Sequence, residues 1–135
     1  MVKIPWTFRI QPDLNREYFV VFTSGLAISM SWRNLRKLWA FQQYTRRILE
    51  KLNQSDGCVG FALGGKIKSF EGMTISVWED IESLRRFQKE DPHKEAMEVV
   101  RMDLKGKFQY VQWRSRSAAF PRTWKEAEAR LQPRE

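Results

Sequence analysis

Hydrophobic and polar positions alternate along this chain with changing period, and the periods outline one α+β unit. Residues 1–17 have no clear period and are broken by Pro5, Pro12, Asp13 and Asn15. Tyr18-Phe19-Val20-Val21-Phe22-Thr23 then opens a β run that can extend to Ile28. Nearly every position in it is apolar or small, which predicts a central strand covered on both faces. Ser31 can cap a helix over 32–52. Its wheel groups Leu35, Leu38, Trp39, Leu49 and Leu52 in a broad apolar arc with Phe41, Tyr44 and Ile48, with most basic residues opposite. So wide an arc predicts that a second segment or subunit covers the helix, besides the sheet beneath it.

Asn53-Gln54-Ser55-Asp56-Gly57 is a turn cluster, and 58–64 follows with the alternation of a strand. Val59, Phe61 and Leu63 are expected on one face, and Cys58, Gly60, Ala62 and Gly64 on the other. A face of such small residues admits a closely packed helix or leaves room for a ligand, and close packing is the commoner reason. Gly64-Gly65-Lys66 begins a connection to a strand at 73–78, with Met73, Ile75 and Val77 against Thr74, Ser76 and Trp78. Asp80 can cap a short helix with Ile81, Leu84 and Phe87 inward. Asp91-Pro92 ends that helix and starts a second helical piece over 92–101. A last strand at 108–114 and a terminal helix at 124–131, after Pro121, complete the chain.

This order is β-α-β-β-α-β, the ferredoxin-like unit, with an extra segment at each end and no linker to divide 1–135 into two domains. Both long helices of that unit lie on one side of its sheet. The strands nevertheless carry apolar or small residues on both faces, so a bare far face would drive association. The expected remedy is a homodimer, two sheets meeting face to face in an α+β barrel.

Composition adds constraints. Hydrophobic residues at 42% and charged residues at 30% describe a globular chain rather than a disordered one. Cys58 is the single cysteine, so no intramolecular disulfide can form; a small buried hydrophobe in a reducing, cytoplasmic setting is expected. The chain lacks an apolar run long enough to span a bilayer, and Met1-Val2-Lys3-Ile4-Pro5-Trp6 does not open a signal peptide. The net charge of +8 is uneven: Arg33, Arg36, Lys37, Arg46, Arg47 and Lys51 face Glu50 alone, whereas 79–98 is net acidic. These are solvated helix faces, or the first is a docking surface for an acidic partner, with nucleic acid the less expected one.

His93 is the only histidine, and its neighbours at i+3, i+4 and i+7 are Ala96, Met97 and Val100, so it faces inward. A helix start disfavours imidazolium and leaves a neutral ring able to accept a proton or bind a metal or haem iron. The alternative is a packed histidine that holds the helix start. Trp78 shares a strand face with Thr74 and Ser76, and Phe87 and Trp113 could close an aromatic pocket with it. Core packing explains each ring separately. One His and one Cys do not make a zinc cluster or a recognised Cys-His pair, and no glycine-rich phosphate loop is present.

The stretch Thr74-Ile75-Ser76-Val77-Trp78-Glu79-Asp80, then Leu84, Phe87 and Pro92-His93-Lys94-Glu95-Ala96-Met97, resembles the antibiotic biosynthesis monooxygenase-like family of dimeric α+β barrels. Within it the pattern looks most like a bacterial branch related also to spheroidene monooxygenases; Trp113 and the Trp124-Lys125-Glu126-Ala127 helix are similar to that branch too. The resemblance implies a small hydrophobic, aromatic or polyene ligand, and an oxygenase without cofactor, Trp78 stacking the substrate and His93 accepting a proton. On that implication Ser76, Phe87, Met97 and Trp113 line the pocket. Other relatives bind or degrade haem, the degraders with a pocket Asn; Thr23 and Ser24 stand on the first strand instead, which argues against haem degradation but not haem binding. Fold alone transfers no reaction.

Overall fold

A computed structural model of the chain describes residues 3–26, 35–66, 71–89 and 107–131. Its elements are β1 (Thr7–Phe8), β2 (Glu17–Leu26), α1 (Leu35–Gln54), β3 (Cys58–Lys66) and β4 (Glu71–Trp78). There follow α2 (Ile81–Lys89), β5 (Lys107–Arg116), a 3-10 turn (Ser117–Ala119) and a short helix α3 (Trp124–Glu128). The strands form one sheet in the order β1-β3-β4-β2-β5, and every pairing is antiparallel. Strands β2 to β5 make the ferredoxin-like unit, an α+β fold as the periods predict. Apolar β2 lies between β4 and β5. The strands outrun the expected bounds, because β3 continues through Gly64-Gly65 and β4 starts at Glu71. The Ser31 cap and the helical piece over 92–101 lie outside the described residues.

One face of the sheet packs on the helices through Val21, Leu52, Cys58, Phe61, Trp78, Leu84 and Phe87. The far face is not bare, which corrects the premise of the face-to-face dimer. Val20, Phe22, Ile75 and Val77 are wholly buried within the single chain. Exposing four such side chains would forfeit about 6–12 kcal/mol, the scale of a whole domain's stability. The cover comes from the chain's two ends, through Ile4, Phe120, Trp124 and Ala127 with Trp6 against them. The ends fasten to each other: Ile4 N–H donates to the Arg122 carbonyl (2.9 Å) and the Trp6 indole to the Pro121 carbonyl (2.9 Å). The leading stretch is thus structured, with Thr7 paired to Phe61. Thr123 caps α3 by accepting from Glu126 N–H (3.2 Å), and the Glu126 carboxylate accepts from Arg122 N–H (2.7 Å).

Simple alternation fails in β3. A β-bulge between Cys58 and Gly60 inserts one residue, so Val59 joins the far-face cluster while Cys58 and Phe61 face the helices. The small positions serve close packing, as expected. A methyl group at Gly64 would stand 2.6 Å from the Trp124 ring, and one at Gly60 2.5 Å from that of Phe8. Gly57 turns the chain into β3 at φ +85°, a conformation that suits glycine. Arg9 donates to the carbonyls of Ser55 and Cys58, tying the leading segment to the end of α1.

Asp80 accepts from Ser83 N–H at 2.7 Å, and this hydrogen bond holds its carboxyl below the ordinary value. Leu84 and Phe87 of α2 are buried, as the spacing predicts. Helix α1 buries Leu52 and packs Ile48 and Leu49 on the same cluster. Trp39, at the edge of the apolar arc, is 64% exposed in the single chain. Nine residues before Ile48, it projects half a turn away from the packed side.

Gly64→Ala should therefore lower stability by about 1–3 kcal/mol, by displacing the Trp124 ring. Gly72→Ala, whose added methyl would meet nothing within 4 Å, should be neutral or stabilising by roughly 0.5 kcal/mol. Urea midpoints of the two variants check the contrast, and equal losses would contradict it. Burial pushes the Cys58 thiol up to about 11, although Arg9 beside it pulls the other way. Alkylating reagent at neutral pH should leave the native protein unmodified and label it only on unfolding. The neutral thiol's contribution to stability is complete below the unfolded value of 9.0 and is lost as pH rises through about 11.

Candidate functional site

The register aligns the residues beneath the helices into rows across β3, β4, β2 and β5. The first row is Cys58, Trp78, Phe19 and Arg114; the second is Phe61, Ser76, Val21 and Gln112. The third row is Leu63, Thr74, Thr23 and Tyr110, and the fourth has Gly65, Gly72 and Gly25 in its first three strands. Among the described residues the surface therefore changes from packed and apolar, to polar, to glycine across these rows.

Trp78 and Phe87 meet in the packed part, ring centroids 5.2 Å apart, and Trp78 is fully buried. Its indole N–H donates to Ser76 Oγ at 2.8 Å, the partner a buried indole needs. These three residues come together as the strand and helix spacing predicts, but as a closed wall rather than an open mouth. Trp113 does not join them. It pairs with Val20 and packs on the far-face cluster, under the Arg130 guanidinium at 4.9 Å from its ring. Successive residues of a strand point to opposite faces, so β5 offers Tyr110, Gln112 and Arg114 to the helix side and Trp113 to the other. The sheet itself separates the two tryptophans. His93 and Met97 lie outside the described residues.

The polar rows contain residues to which the sequence pattern does not draw notice. Tyr110 is 54% exposed and its hydroxyl donates to Gln112 Oε1 at 2.7 Å. Thr23 stands between Thr74 and Tyr110 in the register. Alternation along β5 alone could have put Tyr110 and Gln112 on one face; joining them to Thr23 and Thr74 required the register. Neutral hydroxyl and amide groups of this kind can hold a carbonyl or phenol oxygen, and the glycine row beside them leaves the backbone open to close approach. Gly72 has nothing within 4 Å of where a side chain would begin. Among the described residues no three His, Cys, Asp or Glu side chains gather as a metal site.

An open groove of about 540 Å³ is lined by Leu63, Gly64, Gly65 and Met73 beside Trp124, with Lys3, Lys125 and Glu128 at its sides. It lies along β3, next to the cover formed by the chain ends.

Solved structures share this architecture. A cofactor-independent oxygenase from Streptomyces nogalater, SnoaB, is 17% identical, with 70% of this chain and 90% of that one covered and a TM-score of 0.52. A conserved protein from Methanosarcina mazei is 13% identical, covering 71% and 91%, with a TM-score of 0.56. A protein described as an antibiotic biosynthesis monooxygenase is 14% identical, covering 70% and 95%, at a TM-score of 0.55. At these identities the likeness establishes the fold. No curated protein sequence matches the chain. The profile of one sequence family does match, over residues 19–114, from the first row of β2 to the first row of β5. The chain belongs to the monooxygenase af470-like family.

Proposed function

We propose that this chain is a small-molecule oxygenase that works without a cofactor on an electron-rich aromatic or polyene substrate. The observation that carries the reading is the passage on the helix side of the sheet from a packed Trp78–Phe87 wall to the Tyr110–Gln112 pair and the glycine row. That arrangement suits an apolar body laid on bare backbone, with one oxygen atom held by neutral donors. Membership of a monooxygenase family and the fold shared with a cofactor-independent oxygenase support it.

An activated methylene can be oxidised by dioxygen alone. One methylene and one dioxygen give one carbonyl and one water, and the balance needs no other reductant. The substrate loses a proton, its anion passes an electron to dioxygen, and the carbon–oxygen bond forms as the radicals combine. The resulting peroxide anion takes the proton back and loses water, its O–O bond and the second C–H bond breaking as the carbonyl forms. Such a reaction asks the protein to orient the substrate, take up the proton and steady the anion. The Tyr110 hydroxyl, beside Gln112, suits the last task. His93 enters as the proton acceptor and Met97 as a pocket residue on sequence grounds. Homodimerisation belongs to the same proposal. Among the described residues β5 is one of the sheet's two end strands, and its open side can receive a second copy.

Oxygen uptake with anthrone-type and hydroxynaphthalene substrates tests the reading. Tyr110→Phe and Gln112→Leu should each lower kcat/KM about tenfold or more at unchanged thermal midpoint, and His93→Ala about a hundredfold. Unchanged turnover in the Tyr110 and Gln112 variants would remove the site from the polar rows. Light scattering at micromolar concentration should report twice the chain mass.

A further inference from the structure

Helices α1 and α2 lie side by side on the helix-face cluster, held through Ile48, Leu49 and Leu52 of one and Ile81, Leu84 and Phe87 of the other. The opposite side of each helix faces away from that cluster and from the polar rows. On it α1 exposes Arg36, Trp39 and Arg46, and α2 exposes Arg85, Arg86 and Lys89. Helical spacing puts Arg36, Trp39 and Arg46 on one stripe of α1 and Arg85 with Lys89 on one stripe of α2, with Arg86 flanking it. Among the described residues the exposed acids of these helices are Glu50 and Glu82. Trp39 at 64% exposure presents a large ring on the same stripe as Arg36 and Arg46.

Two anionic surfaces could match these cations and their indole. Single-stranded nucleic acid is held by several rings that stack successive bases along a positive groove. Here one ring stands on the outer surface of a helix pair. A bilayer interface asks for less: tryptophan settles at headgroup level while arginine stems lie along the lipid and the guanidinium groups meet phosphate. No described helix is long and apolar enough to cross a membrane, so such contact is with the surface.

We propose that the outward face of α1 and α2 docks this protein on an anionic phospholipid surface, with Trp39 as the inserted anchor. The net charge of +8 steers the approach, and the two stripes set the orientation. The proposal stands apart from the oxygenase reading, because it uses the opposite side of the helices and is measured without turnover.

The test is co-sedimentation of the full chain with vesicles of phosphatidylcholine alone or with about 30 mol % phosphatidylserine. Binding should be at least about tenfold tighter to the anionic vesicles and should weaken when salt rises from about 0.1 to 0.5 M. Trp39→Ala should weaken it about tenfold, and Arg85→Glu with Arg86→Glu by about 25-fold or more. Both variants alter exposed positions and should keep the wild-type circular dichroism. Equal binding to both kinds of vesicle would overturn the proposal. So would wild-type affinity in Trp39→Ala, which reduces the effect to net charge. Preference for a single-stranded oligonucleotide over anionic vesicles in competition would assign the surface to nucleic acid instead.

Discussion

Strand β2 must be kept dry on both faces, and the rest of the structure follows from that. Val20 and Phe22 point to one side and Val21 to the other, and all three are buried. Pairing with β4 and β5 satisfies the backbone of the strand, but only covers above and below the sheet satisfy its side chains. The helices supply one cover, as in any ferredoxin-like unit. The other is assembled from residues more than a hundred positions apart, where Trp6, Phe8 and Phe120 associate and the Trp6 indole reaches the Pro121 carbonyl. A chain that closes its own far face does not need a second sheet to keep Val20 and Phe22 dry.

Covering both faces decides where chemistry can sit. Near Trp78 the space between sheet and helices is filled, and the indole finds its partner in Ser76. Along the same strands the filling thins to threonines, a tyrosine–glutamine pair and then glycine. In the proposed reading the packed end of this continuous sheet serves the substrate as a wall and the polar end supplies the donors. Sheet twist and strand register, rather than loops, hold those donors in place.

The amino-acid sequence by itself determined the element order, the central place of β2, the inward residues of α2 and the burial of Cys58, because each depends on local period or on one residue's chemistry. It also held the cap signal at Asp80. Tertiary structure decided the rest. One inserted residue at the Cys58–Gly60 bulge reversed the facing of Val59 relative to Phe61, which alternation cannot foresee. Strand parity put Trp113 behind the sheet from Trp78, and register alone brought Thr23, Thr74 and Tyr110 into one row. Trp39, grouped with the apolar arc by its hydrophobicity, is exposed in the single chain, since a side chain is buried only where a neighbouring element arrives to cover it.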